Sequence, residues 1–202
     1  LNSAWSLQLG LVNGWDALDR VSDDLSFIGK VKYENVCTGA WTSLALITGQ
    51  EFNNPAHLNL RNQDYTNRTL YSWLVGLPLT GRMEYVFHHF LGAQADGAVD
   101  GGTAYWYGID QYLYYPIHDC SKAGMRVEWF KDEDGTRVGL NRPSNPNNPP
   151  YVGDFYSVSF GVNWKPSTNF MLRPEIRADW YDGETQRLPY DDGTDSSQLL
   201  LG

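Results

Sequence analysis

Between Asn169 and Tyr181 the odd positions read Met171, Arg173, Glu175, Arg177, Asp179, and the even positions read Phe170, Leu172, Pro174, Ile176, Ala178, Trp180. A period of two sustained over a dozen residues defines a β-strand with two chemically different faces. One face is a ladder of alternating charge; the other is apolar with aromatic ends. In a soluble sandwich the charges would meet bulk water and the apolar side a core. In an outer-membrane barrel the apolar side meets lipid and the charges line a wet interior. The alternation fits both, so strand length, loop length and aromatic placement have to discriminate.

Ten segments read as strands and none reads as a helix. Trp5, Leu7, Leu9 and Leu11 alternate with Ser6, Gln8 and Gly10. Phe27, Val31 and Tyr33 alternate with Lys30, Lys32 and Glu34. The third, Trp41 to Thr48, is apolar on both sides and leaves its register open. The next four set Tyr71, Trp73 and Val75 against Ser72; Met83, Tyr85 and Phe87 against Glu84 and His88; Tyr107, Ile109 and Tyr115 against Asp110 and Tyr112; and Met125, Val127 and Trp129 against Arg126, Glu128 and Asp132. The eighth, Tyr156 to Trp164, alternates most cleanly; the Asn169–Tyr181 stretch is the ninth, and Gln198 to Gly202 the tenth. Most of these run to about ten residues, longer than the usual five or six of soluble strands and suited to a tilted bilayer crossing.

The connections alternate. Links after even-numbered strands are tight: Asn35 to Ala40, Thr80 with Gly81, Asp119 to Lys122, Lys165 to Thr168. Links after odd-numbered strands are long and polar: Asp16 to Asp24, Gln50 to Asn67, Gly92 to Gly102, Lys131 to Gly153, Asp182 to Ser197. This parity belongs to an up-and-down barrel with short periplasmic turns and long outer loops; a Greek-key sandwich has no reason to keep it. Trp15, Phe27, Tyr71, Trp73, Tyr107, Trp129, Tyr156 and Trp180 fall near the long-loop ends. Tyr33, Trp41, Tyr85, Tyr115, Trp164 and Phe170 fall near the turn ends. Two belts of amphipathic rings match the girdles of a barrel at its two interfaces.

Charge narrows the function further. With a net charge of −9, the chain offers no clustered Lys and Arg for a nucleic-acid surface. No apolar run approaches the length of a spanning helix, which does not bear on a barrel. Cys37 and Cys120 fall in turns four strands apart, which favours two unpaired thiols over a bridge. No leader is visible and the chain stops at Gly202 inside an apparent strand, so a piece of a longer protein is expected.

The segments Gly10-Leu-Val-Asn-Gly-Trp-Asp16, Gly153-Asp-Phe-Tyr-Ser-Val-Ser-Phe-Gly-Val-Asn-Trp-Lys-Pro166, Arg173-Pro-Glu-Ile-Arg-Ala-Asp-Trp-Tyr-Asp-Gly183 and Asp191-Asp-Gly-Thr194 resemble the OmpL-like outer-membrane β-barrel porins of planctomycete-type bacteria. The resemblance covers nearly all of the chain and implies that residues 1–202 are one β-barrel domain, the C-terminal portion of a longer barrel. It also implies an outer-membrane location and a pore role. The family's N-terminal strands and a terminal aromatic residue are not in this sequence.

On that footing, charge toward lipid costs a few kcal/mol per residue, so the pore lining is expected to be Lys30, Lys32, Glu34, Asp110, Arg126, Glu128, Asp132, Arg173, Glu175, Arg177 and Asp179. Opposite charges on adjacent strands would stiffen the wall; the same ladder could set a transverse field across a water-filled pore. The charged residues of the five long loops, from Asp16 to Asp195, sum to −10, essentially the whole excess, which predicts an acidic mouth and weak cation preference. Asp132-Glu-Asp-Gly135 and Asp191-Asp-Gly-Thr-Asp195 resemble pieces of calcium loops without the full ligand pattern. Adjacent His88 and His89 point to opposite faces and cannot ligate one metal together. No nucleophile elbow, His-Glu-x-x-His or phosphate loop is present. The expectation is therefore an antiparallel transmembrane barrel of at least ten strands, a diffusion channel with no catalytic residues, metal or cofactor. Its partners would be the lipid bilayer and small polar solutes and ions, with a homo-oligomer compatible and nucleic acid not. A non-conducting anchoring barrel and a soluble sandwich binding module are the alternatives.

Overall fold

The computed structural model describes residues 4–15, 24–53, 64–79, 82–98, 100–138, 151–183 and 188–202. The expected tight link at Thr80 and Gly81 lies outside them. So do the loop charges Asp16, Asp19, Arg20, Asp23, Arg61, Arg142, Glu184 and Arg187, and the side chains of Asp64 and Asp192.

Eleven strands form one antiparallel sheet. They are β1 (Trp5–Val12), β2 (Ser26–Glu34), β3 (Trp41–Asn53), β4 (Asp64–Pro78), β5 (Glu84–Gln94), β6 (Ala104–His118), β7 (Ser121–Asp132), β8 (Gly153–Ser167), β9 (Phe170–Leu172), β10 (Glu175–Asp182) and β11 (Ser197–Leu201). The order is β1 through β8, then β10 and β11, with short β9 paired on β8, so every strand lies beside its sequence neighbour. The sheet is not closed: β1 and β11 are its two edges. A single 3-10 turn, Asp191–Gly193, interrupts the last long connection.

The tight turns are built from local chemistry. Asn35 Oδ1 accepts from the backbone N–H groups of Cys37 (3.0 Å) and Thr38 (3.2 Å), and Gly39 takes φ +72° to close the reversal. His118 pairs directly with Ser121, and Ser167 with Phe170. Cys37 and Cys120 sit in two of these turns as free thiols.

One expected element divides. The alternating stretch from Asn169 to Tyr181 is β9 plus β10, interrupted at Arg173 and Pro174. Proline has no N–H for the ladder, yet its carbonyl still accepts from the Val162 N–H at 3.1 Å. The two-residue parity therefore survives the gap, and Leu172 and Ile176 remain on one face.

The pairings assign every side chain to a face. One row reads Leu7, Val31, Leu44, Trp73, His89, Ile109, Trp129, Tyr156, Trp180 from β1 to β10. This apolar face is exposed along its length: Leu9 is 64% and Leu199 66% accessible. The described strands make no second sheet to cover it, so the sandwich alternative is not what forms. Polar and charged residues occupy the opposite face, and β3, ambiguous in sequence, resolves into Thr42, Leu44, Leu46 and Thr48 on the apolar side against Trp41, Ser43, Ala45 and Ile47.

The charged face also carries rings that only fit over glycine. A Cβ at Gly92 would stand 2.0 Å from the Trp106 indole, which is 2% exposed and has no room to retreat. Gly92→Val is expected to destabilise the folded protein by about 1–3 kcal/mol through overpacking, read as a lower denaturant midpoint of detergent-folded protein; an unchanged midpoint would mean the indole is free to move.

Candidate functional site

The charged face is organised in rows. One runs Lys32, Ser43, Leu74, His88, Asp110, Glu128, Ser157, Asp179, Gln198 across β2 to β11. The adjoining row, one step nearer the tight turns, runs Glu34, Trp41, Gly76, Val86, Tyr112, Arg126, Ser159, Arg177. From β6 to β10 the carboxylates thus collect in one row and the guanidinium groups in the next, while on β2 the order is reversed, with Lys32 in the first row and Glu34 in the second.

Three ion pairs follow from that offset: Lys32 with Glu34 (2.7 Å), Arg126 with Glu128 (3.5 Å) and Arg177 with Asp179 (2.5 Å). Each joins residues two apart on one strand, not residues of adjacent strands as the sequence suggested. Same-face neighbours along a strand lie roughly 7 Å apart, a gap that a long basic side chain bends to bridge. Asp179 also accepts from Gln198 Nε2 at 2.7 Å on the neighbouring strand. Lys30, Arg173 and Glu175 are exposed on the same face, and Arg173 and Glu175 line a cleft there together with Tyr112, Tyr114, Arg126 and Ser159. Lys122 and Glu84, which the sequence did not single out, pair at 3.0 Å near the turn end.

Asp132 departs from an open wall. By register it faces Trp106 on this side, but it is fully buried, and its carboxylate accepts from the backbone N–H groups of Thr136 (3.0 Å), Arg137 (2.7 Å) and Val138 (2.9 Å). It anchors the loop that follows β7, with both carboxylate oxygens engaged by backbone N–H groups. Asp132→Ala strands three part-buried donors, and we expect a loss of about 2–4 kcal/mol, with faster protease cleavage near residue 137 as the local readout.

Twelve of the fourteen aromatic girdle residues lie on the apolar face: Phe27, Tyr33, Tyr71, Trp73, Tyr85, Tyr107, Tyr115, Trp129, Tyr156, Trp164, Phe170 and Trp180. On β8, Tyr156 and Trp164 stand eight residues apart, about 27 Å along the strand and about 21 Å across a sheet tilted by about 40°, close to the apolar band of a barrel. The two others belong elsewhere. Trp41 sits on the charged face between Glu34 and Gly76, with Lys32 Nζ 5.3 Å from its ring. Trp15 turns onto the same face: its backbone N–H donates to Glu51 Oε1 at 2.6 Å, and the guanidinium groups of Arg68 and Arg137 lie 5.5 and 5.9 Å from its ring. Proximity to a strand end was the only signal for both, and position along a strand does not fix the face.

Other rings on the charged face were not foreseen. Phe90, Phe130, Phe155, Tyr181 and Tyr151 form a chain with successive centroid separations of 6.0, 6.0, 4.8 and 6.2 Å. For the four on strands, Phe90, Phe130, Phe155 and Tyr181, the alternation with the apolar face was legible, since each occupies the same parity as a charged residue; Tyr151 precedes β8 and had no such signal.

Several polar groups on the apolar face find partners there. Gln111 accepts from the Tyr85 hydroxyl at 2.9 Å. Lys131 and Asp154, counted in sequence with the acidic mouth, pair at 2.9 Å on the apolar side near its rim, and Trp129 Nε1 donates to Asp154 at 2.8 Å. At the same long-loop end, on the charged face, Tyr190 folds back from the last connection. Burial, followed by the negative charges of Asp179 and Glu128 and opposed by Arg177, pushes its phenol up to about 12, so it stays neutral at any physiological pH.

His88 and His89 do take opposite faces. His89 Nδ1 meets the Tyr71 hydroxyl at 3.1 Å on the apolar side. His88 stands on the charged side, its Nδ1 2.7 Å from Asp110 Oδ2 and its Nε2 2.9 Å from Ser72 Oγ. The three residues come from three strands, and only the register brings them together. Among the described residues no cluster of three or more His, Cys, Asp or Glu could hold a metal ion.

No curated protein and no solved structure shows significant similarity to the chain. A single uncovered sheet with a charged wall on one side and a girdled apolar wall on the other is the architecture of a porin segment, and a family model agrees over residues 1–202: the chain belongs to the family described as Putative beta-barrel porin-2, OmpL-like.

Proposed function

We propose that the chain is part of the wall of an outer-membrane porin, a passive diffusion channel for ions and small polar solutes, with the charged face lining a wet lumen. The observation that supports this most is the inverted polarity of the single sheet: large apolar side chains such as Leu9 and Phe160 are exposed, while Asp110, Ser157, Ser159 and Asp179 are buried on the other face. Lipid solvates the first set and a hydrated, salt-bridged interior the second. The row of carboxylates beside the row of guanidinium groups gives permeating ions a transverse field, and acidic outer loops give weak cation preference.

Single-channel recording of the full-length protein in planar bilayers tests this. Discrete, salt-dependent steps with a reversal potential on the cation side are expected. Silence from folded, inserted protein would favour the anchoring barrel, and anion preference would sink the acidic mouth. Tyr190 reaches toward Asp179, Arg177 and Glu128 from the outer connection, so it narrows the passage there. Tyr190→Ala is expected to raise unitary conductance, and no change would place the ring outside the conducting path.

A further inference from the structure

We propose that Ser72, His88 and Asp110 form a hydrolytic relay that cleaves small esters on the charged face. The proposal rests on reading that face as wet. Consecutive strands β4, β5 and β6 supply the three side chains, with His88 and Asp110 paired in register and Ser72 one step toward the outer loops. The atoms are the ones the chemistry needs. Asp110 Oδ2 takes Nδ1 of the imidazole at 2.7 Å and so holds the proton there, which leaves the Nε2 lone pair facing Ser72 Oγ at 2.9 Å. Asp110 is 7% exposed and the imidazole tilts against the Phe90 ring at 5.3 Å, so the base is held in orientation.

The surroundings select a substrate. Lys30 lies two strands from Ser72 in the same row with only Ala45 between them, so the field along that row is biased toward a developing oxyanion. Leu70 and Leu74 flank Ser72 on its own strand and Ile47 lies across from Leu70, an apolar platform for a short acyl chain. In the reaction Ser72 Oγ bonds to the ester carbonyl carbon while its proton passes to His88 Nε2. The bond to the leaving alcohol then breaks, and His88 returns the proton to the departing oxygen. Water from the lumen attacks the acyl-serine, giving its proton through His88 to Ser72 Oγ, and a carboxylic acid leaves. The sum is ester plus water to acid plus alcohol. Ser72 and His88 touch the reacting atoms; Asp110 acts through His88 as a positioning residue.

The full-length protein, folded in detergent, is treated with a fluorophosphonate probe and mapped by mass spectrometry, and hydrolysis of p-nitrophenyl butyrate is followed in parallel. We expect an adduct on Ser72, absent in Ser72→Ala and slowed about 100-fold or more in His88→Gln, with Asp110→Asn lowering kcat far more than it changes KM. Labelling that is absent from folded wild type, or undiminished in His88→Gln, overturns the relay and leaves a hydrogen-bonded brace. In Ser72→Cys a water-soluble maleimide reports whether the face is wet. Modification by maleimide without acylation of the wild type overturns the relay alone; absence of both overturns the wet face as well.

Discussion

Leu9→Arg is expected to lower the stability of the inserted protein by about 2–4 kcal/mol, while Gln8→Arg changes it by less than about 1 kcal/mol. The two residues are adjacent on β1 and point to opposite faces: Leu9 pairs with Gly29 on the apolar side and Gln8 with Lys30 on the charged side. Leu9 stands four residues above Trp5, about 10 Å across the band for a tilted strand, near its middle, where a guanidinium cannot reach water without thinning the bilayer. An arginine at position 8 points into an environment that already holds Lys30 and Lys32. Equilibrium unfolding in lipid vesicles separates the two. Equal costs would mean that the two faces see the same solvent, which no membrane barrel permits.

Neutralising the basic row has the second large effect. Replacing both Arg126 and Arg177 by Met is expected to raise the cation-to-anion permeability ratio several-fold, because Glu128 and Asp179 keep their charge while their partners vanish. Asp179 is 4% exposed, so the same change costs stability. Gln198 still donates to it and Arg177 is partly solvated, which holds the loss to about 1–3 kcal/mol. Reversal potentials under a KCl gradient check the first part and unfolding the second. A ratio that does not move would place the charged rows outside the ion path.

What the sequence made legible was whatever obeys a period of two. The faces of β1, β2, β4 to β8 and β10 follow directly from alternation, because a strand has no other way to place consecutive side chains. The parity of long and short links supplied the up-and-down order for the same reason. Three kinds of information were missing. Trp15 lies beyond a strand end, where alternation has no authority, and Trp41 opens a strand that is apolar on both sides. Arg126 and Glu128 are partners along one strand because of side-chain length and bending, which sequence pattern does not weigh against a cross-strand neighbour. Ser72, His88 and Asp110 are separated by 16 and 22 residues, and their meeting depends on two hairpin registers at once. A one-residue slip in either would send one partner to the lipid side.

Every pairing in the sheet joins strands that follow each other in the chain, β9 aside. Such a wall can grow hairpin by hairpin, each new strand closing only a short stretch of chain and losing little entropy. At β1 and β11, the two edges of the described sheet, the outer N–H and C=O groups have no neighbour among the described strands. Hydrocarbon offers these groups no hydrogen bonds, and each left bare there costs several kcal/mol. The edges are thus where time enters the structure: each must find a further strand before its backbone meets hydrocarbon, and a wall that entered the bilayer before those pairings formed would do so at its least stable moment. A mutation at either edge should therefore slow assembly far more than it weakens the finished barrel.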